Sequence, residues 1–573
     1  MLVVLAFALI FFPLCWLYGT AFLRLAARLL GIEPLGENLT GTLLAGMVAI
    51  TTLGAALSLA LPLDWRAFSI VILGGSAILF TSLRRGWMKF RFPRLPALKG
   101  WSAAAGLVLL LALLTVLENA THPVANPDTG IYHAQAIRWL EEYPAVPGLG
   151  NLHSRFAYNS HWLVLNALFS LAFLGGPSLH LAGAMLFALA VWDFAGGLRR
   201  WLNDEESIAN SLRILFLPLS FYLLGSQTSS PGTDLPVILM LWLLVPLWLE
   251  SSGLEGEQAS IRRVLLFSVA VFAVTLKLSA LPLLVLAAGL AVQDARKRPV
   301  NLLRWGLWGG LLLLPWLMRN VVLSGYLVYP LAALDVFSVD WKIPYGEVLR
   351  EAQIISAWAR LPNVDATVVL SMPLNEWLPV WFSDRTSNQR LILLLAAVSP
   401  LGMGLAAVWL GRSRIVRGQG FGGWLAAYAL TAGGAVYWLF GAPDLRFGYG
   451  WVMLLIALPL AGLTAALAAA LQGWKKSGLK ALLMAVLLAV QLWFLAASFE
   501  GRTLAQRWLL PPDYPLHATF PCPLENGTVL CAGEESYTQC YYQPFPCIPK
   551  PIEGVELRGS DWGEGFRHRQ DWR

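Results

Sequence analysis

Long apolar stretches recur along most of this chain and limit what it can fold into. Many of them reach about 18 residues, which is enough for one helix to cross the hydrocarbon core of a bilayer. Because that core holds no water, a chain crossing it must satisfy its backbone hydrogen bonds within helices or a closed barrel. Hydrophobic residues make up 57% of the sequence and charged residues only 13%, which excludes an ordinary soluble domain. We therefore predict an all-α polytopic membrane protein.

Basic residues are concentrated in the short connections between the apolar stretches. The net charge of +7 therefore reports membrane topology rather than nucleic-acid binding. With all of these connections in the cytoplasm, the sequence predicts about 14 membrane helices and both termini outside. The basic connections are 24–28, 84–99, 199–200, 262–263, 296–304, 412–417 and 475–480. The predicted helices are 2–23, 38–62, 67–83, 101–118, 179–198, 207–225, 234–250, 264–276, 280–294, 304–318, 390–411, 420–440, 450–471 and 479–498.

Two predicted elements depend on this charge distribution. The apolar run from 264 to 294 is divided into two short helices, because basic residues flank it on both sides and require an even number of crossings. Residues 161–174 are also apolar, but a crossing there would invert every later loop. We therefore expect 161–174 to form a helix that lies at the outer membrane interface.

The predicted topology divides the chain into three parts. Residues 1–100 form an N-terminal extension of three membrane helices, and its first helix lacks the cationic region and cleavage site of a signal peptide. Residues 101–498 form the transmembrane core, with long outer loops at 119–178 and 319–389. Residues 499–573 form an extracytoplasmic tail.

Four of the five cysteines lie in this tail. Their spacings lack the Cys-x-x-Cys pattern of zinc sites, so two disulfides are favoured over a metal site, with three possible pairings. Disulfides require an oxidising compartment, which agrees with a C-terminus outside the cytoplasm. Cys15, in the first helix, is expected to be a small apolar packing residue. The tail cysteines are Cys522, Cys531, Cys540 and Cys547.

Ionisable residues at the outer ends of the predicted helices are the candidates for function. Such groups are costly near a bilayer and are usually retained for a role. Asp128 lies in the polar segment after helix 101–118, and Asp234 opens a later helix, where it could equally act as a cap. Lys277 separates two short helices and could equally extend to the interface. Arg446 could pair with its neighbour Asp444.

Lys277, Arg319 and Arg446 place three cations at the outer mouth of the bundle, opposite Asp128. Arginine recognises phosphate oxygens in a bidentate manner, and lysine adds a point charge. The sequence has no phosphate-binding loop or dinucleotide fingerprint in a strand–turn–helix context. A lipid-linked phosphate is therefore favoured over a soluble nucleotide, and no nucleic-acid partner is expected.

The order of these residues resembles the GT-C superfamily of integral-membrane glycosyltransferases, in particular the branch of the aminoarabinose and protein mannosyl transferases. The likeness covers about residues 101 to 470, and a group of functionally undescribed bacterial multi-pass proteins is similar too. In the family, the first outer loop carries a catalytic Asp and an interfacial helix follows it. The matching positions here are Asp128, the 161–174 segment, Asp234, Lys277, Arg319-Asn320, Gly325 and Tyr329-Pro330.

The resemblance implies an inverting transfer of a sugar from a polyprenyl-phosphate donor to a hydroxyl of a glycan, lipid or protein. Asp128 would act as the base, and Lys277, Arg319 and Arg446 would hold the donor phosphate. We expect the protein in a bacterial inner membrane, with its active site on the extracytoplasmic side. The substrate pocket is expected to contain Tyr132, His133, Arg155, Asp234, Asn320 and Tyr329.

Three features depart from the family. Three helices precede the core, no second acid adjoins Asp128, and the C-terminal part is short. The missing acid leaves a requirement for a divalent metal ion open, and we predict no metal ligands. The alternative is a transporter or flippase for an anionic lipid or solute, in which these charges would line a pathway; the sequence shows no internal repeat to favour it. A non-catalytic assembly subunit is a third possibility.

Overall fold

The computed structural model describes residues 1–33, 36–86, 100–251, 253–296, 298–412, 420–499, 508–533, 539–542 and 544–569. Within these residues, 12 helices are long and apolar enough to cross a membrane, which confirms the predicted polytopic all-α class. The α-helices are α1 Leu2–Leu30, α2 Leu39–Leu57, α3 Trp65–Arg84, α4 Trp101–Asn119, α5 Ala134–Glu142, α6 Leu149–Leu152, α7 His161–Leu168, α8 Ala182–Leu202, α9 Ile208–Leu224, α10 Asp234–Ser251, α11 Gly256–Leu276, α12 Leu283–Ala295, α13 Val300–Ser324, α14 Tyr345–Arg360, α15 Ala366–Ser371, α16 Leu374–Ser383, α17 Ser387–Arg412, α18 Phe421–Gly441, α19 Leu445–Ala470 and α20 Gly473–Ser498.

A helix lies at each of the predicted membrane spans. The 12 candidates long and apolar enough to span do not include α12 or α18. With 13 residues, α12 is short for a bilayer crossing. The prediction of about 14 crossings therefore stays a prediction, whereas the order of the helices agrees with the sequence.

Several basic residues that we predicted in connections lie inside helices instead. Arg200 is in the last turn of α8, and Arg262 lies well inside α11, which begins at Gly256 rather than at residue 264. The same holds for Arg304 in α13 and for Lys475 to Lys480 in α20. As a result α11 has 21 residues, which is long enough to cross a membrane, and is not the short helix that we predicted. The predicted connections at 84–99 and 412–417 lie mostly outside the described residues.

Three acids and three arginines form an ionic cluster where α8 and α10 end and α9 and α11 begin; we call it the far-end cluster. The side chain of Arg213 is 1% exposed and lies 2.5 Å from Asp193. Arg213 also pairs with Glu250, and Arg262 lies 2.7 Å from Glu37. Paired charges are tolerated inside a protein where single ones are not, so α11 can continue past its arginines. The members are Glu37, Asp193, Arg200, Arg213, Glu250 and Arg262.

The three N-terminal helices share one hydrophobic core with the later ones. Helix α1 packs lengthwise on α2, and both contact α11 and α13. A Cβ on Gly46 would lie 1.8 Å from the backbone oxygen of Cys15, so only glycine permits this approach. Cys15 is buried and unbridged, in agreement with its predicted packing role. An apolar groove of about 520 Å³ lies between α1, α2 and α13 and is lined in part by Phe22, Leu53 and Leu312.

The 161–174 segment consists of α7 and the short 3₁₀ turn Ala172–Leu174. It is too short to span a membrane, as we expected. Every residue of α7 is buried, and the helix contacts α2, α5 and α11. A helix that is apolar on most sides is thus enclosed by protein, while its position at the outer membrane interface stays a prediction.

The tail holds the five strands of the described residues. β1 Thr519–Leu524 pairs antiparallel with β2 Gly527–Ala532, β3 Cys547–Ile548 runs parallel to β2, and β4 Val555–Leu557 pairs with β5 Phe566–His568. The disulfides Cys522–Cys531 and Cys540–Cys547 confirm the predicted framework and select one of its three pairings. The tail packs on the segment between α4 and α8 through a shared apolar cluster that includes Tyr132, Trp139 and Phe566.

Candidate functional site

The polar segment that carries Asp128 is fixed to the connection between α9 and α10. The backbone N–H of Asn126 donates to Ser230 Oγ at 3.1 Å, and its side-chain amide donates to Gln227 at 3.2 Å. Asn126 Oδ1 in turn accepts from the backbone N–H of Asp128 at 3.0 Å. The next residues, Thr129–His133, form a π-helical turn that leads into α5. Turns of this kind are rare and frequently occur at functional sites.

The carboxylate of Asp128 lies between two arginines from distant parts of the chain. Arg446 Nη1 donates to Asp128 Oδ2 at 3.0 Å, and Arg155 Nη1 lies 3.5 Å from Asp128 Oδ1. Arg446 is in the first turn of α19, where Asp444 caps the helix and also lies 3.3 Å from the Arg446 Nε. The expected Asp444–Arg446 pairing is thus present together with a direct contact to Asp128.

A second ion pair adjoins the first. Lys277, in extended conformation after the end of α11, pairs with Asp234 at the start of α10. The Lys277 Nζ lies 3.8 Å from the ring centroid of Phe447, and the guanidinium carbon of Arg446 lies 4.9 Å from the same centroid. Phe447 therefore holds the two cations side by side through cation–π contacts.

These residues form a group in which three carboxylates balance three cations; we call it the Asp128 group. Burial alone would raise the pKa of Asp128, but the positive charges around it, foremost Arg446, outweigh burial and lower the pKa below its ordinary value. Asp128 is therefore ionised at neutral pH. The members are Asp128, Arg155, Asp234, Lys277, Asp444 and Arg446.

Tyr132 and His133 lie beside this group in the π-helical turn. Burial and the charge of Asp128 hold the pKa of the Tyr132 phenol well above its ordinary value. Burial lowers the pKa of His133 to about 4, so its ring is neutral at pH 7. Among the described residues, neither ring nitrogen of His133 has a hydrogen-bond partner, although the side chain is buried. A polar ligand would satisfy these atoms.

Arg155 connects the Asp128 group to a second polar patch, of which the sequence analysis named Tyr329 but not Tyr158 or Glu351. Tyr158, three residues further on, donates a hydrogen bond to Glu351 of α14. The rings of Tyr158 and Tyr329 lie 6.0 Å apart, and the Tyr329 hydroxyl is buried without a hydrogen-bond partner among the described residues. Glu351 occupies a buried position of α14, near Val348. A carboxylate on the apolar face of an amphipathic helix is the signal that could have found it.

Arg319 and Asn320 do not join the Asp128 group. The guanidinium of Arg319 donates to Asn159 Oδ1 at 3.0 Å and to Ser58 Oγ at 2.6 Å. It therefore ties α13 to the end of α2 and to the loop before α7. Within the part of the chain that is described, no carboxylate lies within ion-pair distance of Arg319. Asn320 is buried next to it.

Across the described residues, no three His, Cys, Asp or Glu side chains come together in a way that would hold a metal ion. The four tail cysteines are used in disulfides.

The fold and the site define a class: a polytopic membrane protein that gathers six charged side chains at one end of its helical bundle. More particularly, the chain belongs to the family described as a domain of unknown function (DUF8201), which it matches over residues 1–453. That range contains the whole Asp128 group but not the disulfide-bearing tail. No curated protein and no solved structure matches the chain.

Proposed function

We propose that the protein is a glycosyltransferase that moves a sugar from a polyprenyl-phosphate donor to an acceptor hydroxyl. The observation that carries the proposal is the contact of Asp128 with Arg446 at 3.0 Å, beside the Lys277–Asp234 pair. A carboxylate that can accept a proton lies next to cations that can hold a leaving phosphate. Both lie at one end of a membrane bundle, where a lipid-linked substrate would present its head group.

In the proposed reaction, an acceptor oxygen attacks the anomeric carbon of the sugar from the side opposite the phosphate. A new carbon–oxygen bond forms while the bond to the phosphate oxygen breaks, and the electron pair leaves with the polyprenyl phosphate. The acceptor proton passes to Asp128. Arg446, Lys277 and Arg155 stabilise the negative charge that develops on the phosphate. One displacement of this kind inverts the configuration of the sugar.

The resting ion pairs suggest how the base becomes active. A phosphate oxygen competes with Asp128 for Arg446, since arginine prefers a bidentate anion. When Arg446 turns to the phosphate, Asp128 loses the charge that contributes most to its low pKa. The pKa of Asp128 then rises towards its ordinary range, so that donor binding makes the carboxylate a better proton acceptor.

The unpaired polar atoms near Arg155 form the remainder of the proposed pocket. The ring nitrogens of His133 and the hydroxyl of Tyr329 would bond to hydroxyls of the sugar or the acceptor. Tyr132 and Asp234 complete this pocket. We assign Arg319 a positioning role, because its bonds hold Asn159 close to Tyr158 and Arg155.

Two further observations support a lipid-linked donor outside the cytoplasm. The apolar groove between α1, α2 and α13 has a volume of about 520 Å³, which suits part of an isoprenoid chain. The two tail disulfides form in oxidising compartments, such as the extracytoplasmic side of a bacterial inner membrane.

The test uses the full-length protein in lipid nanodiscs with a mixture of polyprenyl-phosphate sugars and crude membrane acceptors. The readout is release of polyprenyl phosphate. We expect turnover by the wild type, loss of turnover in Asp128→Asn, and normal turnover in Asp384→Asn. Asp384 is a suitable control, because it pairs with Arg385 and is 62% exposed outside the Asp128 group. Donor binding without turnover in the wild type would contradict the proposal and direct the next experiment to lipid or solute flux.

A further inference from the structure

The turn that carries Tyr132 and His133 is held from outside the membrane bundle by the tail. The backbone N–H groups of Cys540 and Tyr541 both donate to the carbonyl oxygen of Gly130, at 2.8 and 3.1 Å. The Gln135 side-chain amide donates to the Tyr541 carbonyl at 3.0 Å, and its oxygen accepts from the Cys547 N–H at 3.1 Å. Four hydrogen bonds thus connect the turn and the start of α5 to one short loop.

The same contact is closely packed. A Cβ on Gly130 would lie 2.8 Å from the Cζ of Tyr541 and 2.9 Å from the Cβ of Gln539. Gln135, Cys540 and Cys547 are all fully buried. The loop therefore packs directly on Gly130, and any larger residue at position 130 would displace the loop.

The Cys540–Cys547 disulfide closes this loop and holds its hydrogen-bonding groups together. Closing a loop removes conformations that the open chain would have to give up on docking. The other disulfide, Cys522–Cys531, is placed differently: it joins β1 to β2, which are already aligned by a six-residue antiparallel ladder. The two disulfides of one tail therefore provide a matched pair for comparison.

We propose that the Cys540–Cys547 loop is a clasp that positions Asp128, with Gly130 and Gln135 as positioning residues. The clasp fixes the turn that begins immediately after Asp128, so opening it lets the carboxylate leave its place between Arg446 and Arg155. The proposal deepens the proposed function and rests on it for the catalytic consequence. The positioning itself is a property of the folded protein and can be measured without any reaction.

The first experiment measures amide hydrogen exchange in nanodiscs. It compares the wild type with Cys540→Ala/Cys547→Ala and with Cys522→Ala/Cys531→Ala. We expect exchange in residues 129–136 to become faster by about tenfold or more in the clasp variant only. The membrane helices should exchange alike in all three proteins. Unchanged exchange in the clasp variant, or equal acceleration in both variants, overturns the proposal.

Gly130→Ala and Gln135→Leu test the clasp with both disulfides intact, so that a folding defect caused by lost cysteines is separated from a lost contact. Both should accelerate exchange in the same residues.

The Cys522→Ala/Cys531→Ala protein also allows a redox test, because the clasp is its remaining disulfide. Dithiothreitol would transfer two electrons and two protons to that bond, giving two thiols and the cyclic disulfide of the reagent. Faster exchange of 129–136 on reduction is expected; no change contradicts the proposal.

Kinetics supply the last readout. The clasp variants should lower kcat by about tenfold or more without raising the donor KM, since Arg446 at the start of α19 and Lys277 after α11 are not among the residues that the clasp holds. Equal losses in both disulfide variants would indicate general tail damage instead. If the wild type shows no turnover, the proposed function fails, and the exchange experiment alone decides whether the clasp exists.

Discussion

From the charges of the Asp128 group we predict that Asp128→Asn binds polyprenyl phosphate more tightly than the wild type, although it loses turnover. In the resting protein Asp128 occupies Arg446 at 3.0 Å and Arg155 at 3.5 Å, which are the groups that a phosphate needs. Three carboxylates balance three cations in the group. Replacing one carboxylate by an amide leaves a net positive charge and removes a competitor for the arginines.

The magnitude follows from the charge that is removed. A carboxylate and a phosphate about 5 Å apart repel each other by about 3 kcal/mol at an effective dielectric constant near 20, and by about 1 kcal/mol in water. The side chains of Asp128 and Arg446 are 17% and 37% exposed, so solvent screens part of this energy. We expect a gain of about 1–2 kcal/mol, which corresponds to a dissociation constant about 5- to 30-fold lower.

The assay is equilibrium binding of polyprenyl phosphate to nanodisc-embedded protein at several salt concentrations. Asp384→Asn serves as the matched control and should bind like the wild type. Thermal unfolding of each variant shows whether the fold is retained. A folded Asp128→Asn protein that binds the lipid phosphate equally or more weakly than the wild type would refute the reasoning, because the carboxylate would then not compete for Arg446.

Three further outcomes are expected. Lys277→Met should weaken binding of polyprenyl phosphate by about tenfold, because it removes one cation and leaves Asp234 unpaired. Glu141→Gln should raise the Tm at pH 8 but not at pH 5. Burial raises the pKa of the Glu141 carboxyl from 4.5 to about 7. The wild type therefore loses up to about 3 kcal/mol of its free energy of unfolding as the pH rises from 4.5 to 7, and the neutral glutamine avoids this loss. Arg213→Met should lower the free energy of unfolding by about 3–5 kcal/mol, since it leaves Asp193 in a buried position without its partner.

Each of these three predictions can be contradicted by a specific result. Unchanged affinity in Lys277→Met would separate that lysine from the phosphate. Parallel pH profiles of Tm for the wild type and Glu141→Gln would show that the Glu141 carboxyl is not held protonated. A fully stable Arg213→Met protein would mean that the far-end cluster contributes nothing to folding.

The sequence was sufficient to predict four of the charges that meet at one end of the bundle. Helices that alternate in direction bring every second connection to the same side, so Asp128, Asp234, Lys277 and Arg446 were expected together. The structure brings these four side chains into one group. The cysteine spacing likewise predicted two disulfides, because four cysteines in a short Pro-rich tail leave few other uses.

Arg319 shows where this reasoning ends. Its place near the end of a helix fixes its depth in the bundle, but not the direction in which it points. The structure turns it towards Asn159 and Ser58, away from the phosphate role that the pattern predicted. Contacts between distant segments could not be predicted from the sequence either, because no local pattern relates Gly130 to Cys540 or Glu37 to Arg262.

The far-end cluster also has a consequence for how the chain is made. Helices leave the ribosome in chain order, and Glu37, just before α2, finds its partner Arg262 only in α11. A charge near a bilayer is costly while it is single. The Glu37–Arg262 pair forms only after 225 further residues have been synthesised. Arg213 and Glu250 lie on consecutive helices, so that their ion pair can form as soon as α10 has been made. The arginines of the far-end cluster thus set the order in which its ion pairs become possible, and the pair that joins the start of α2 to α11 is the later of the two.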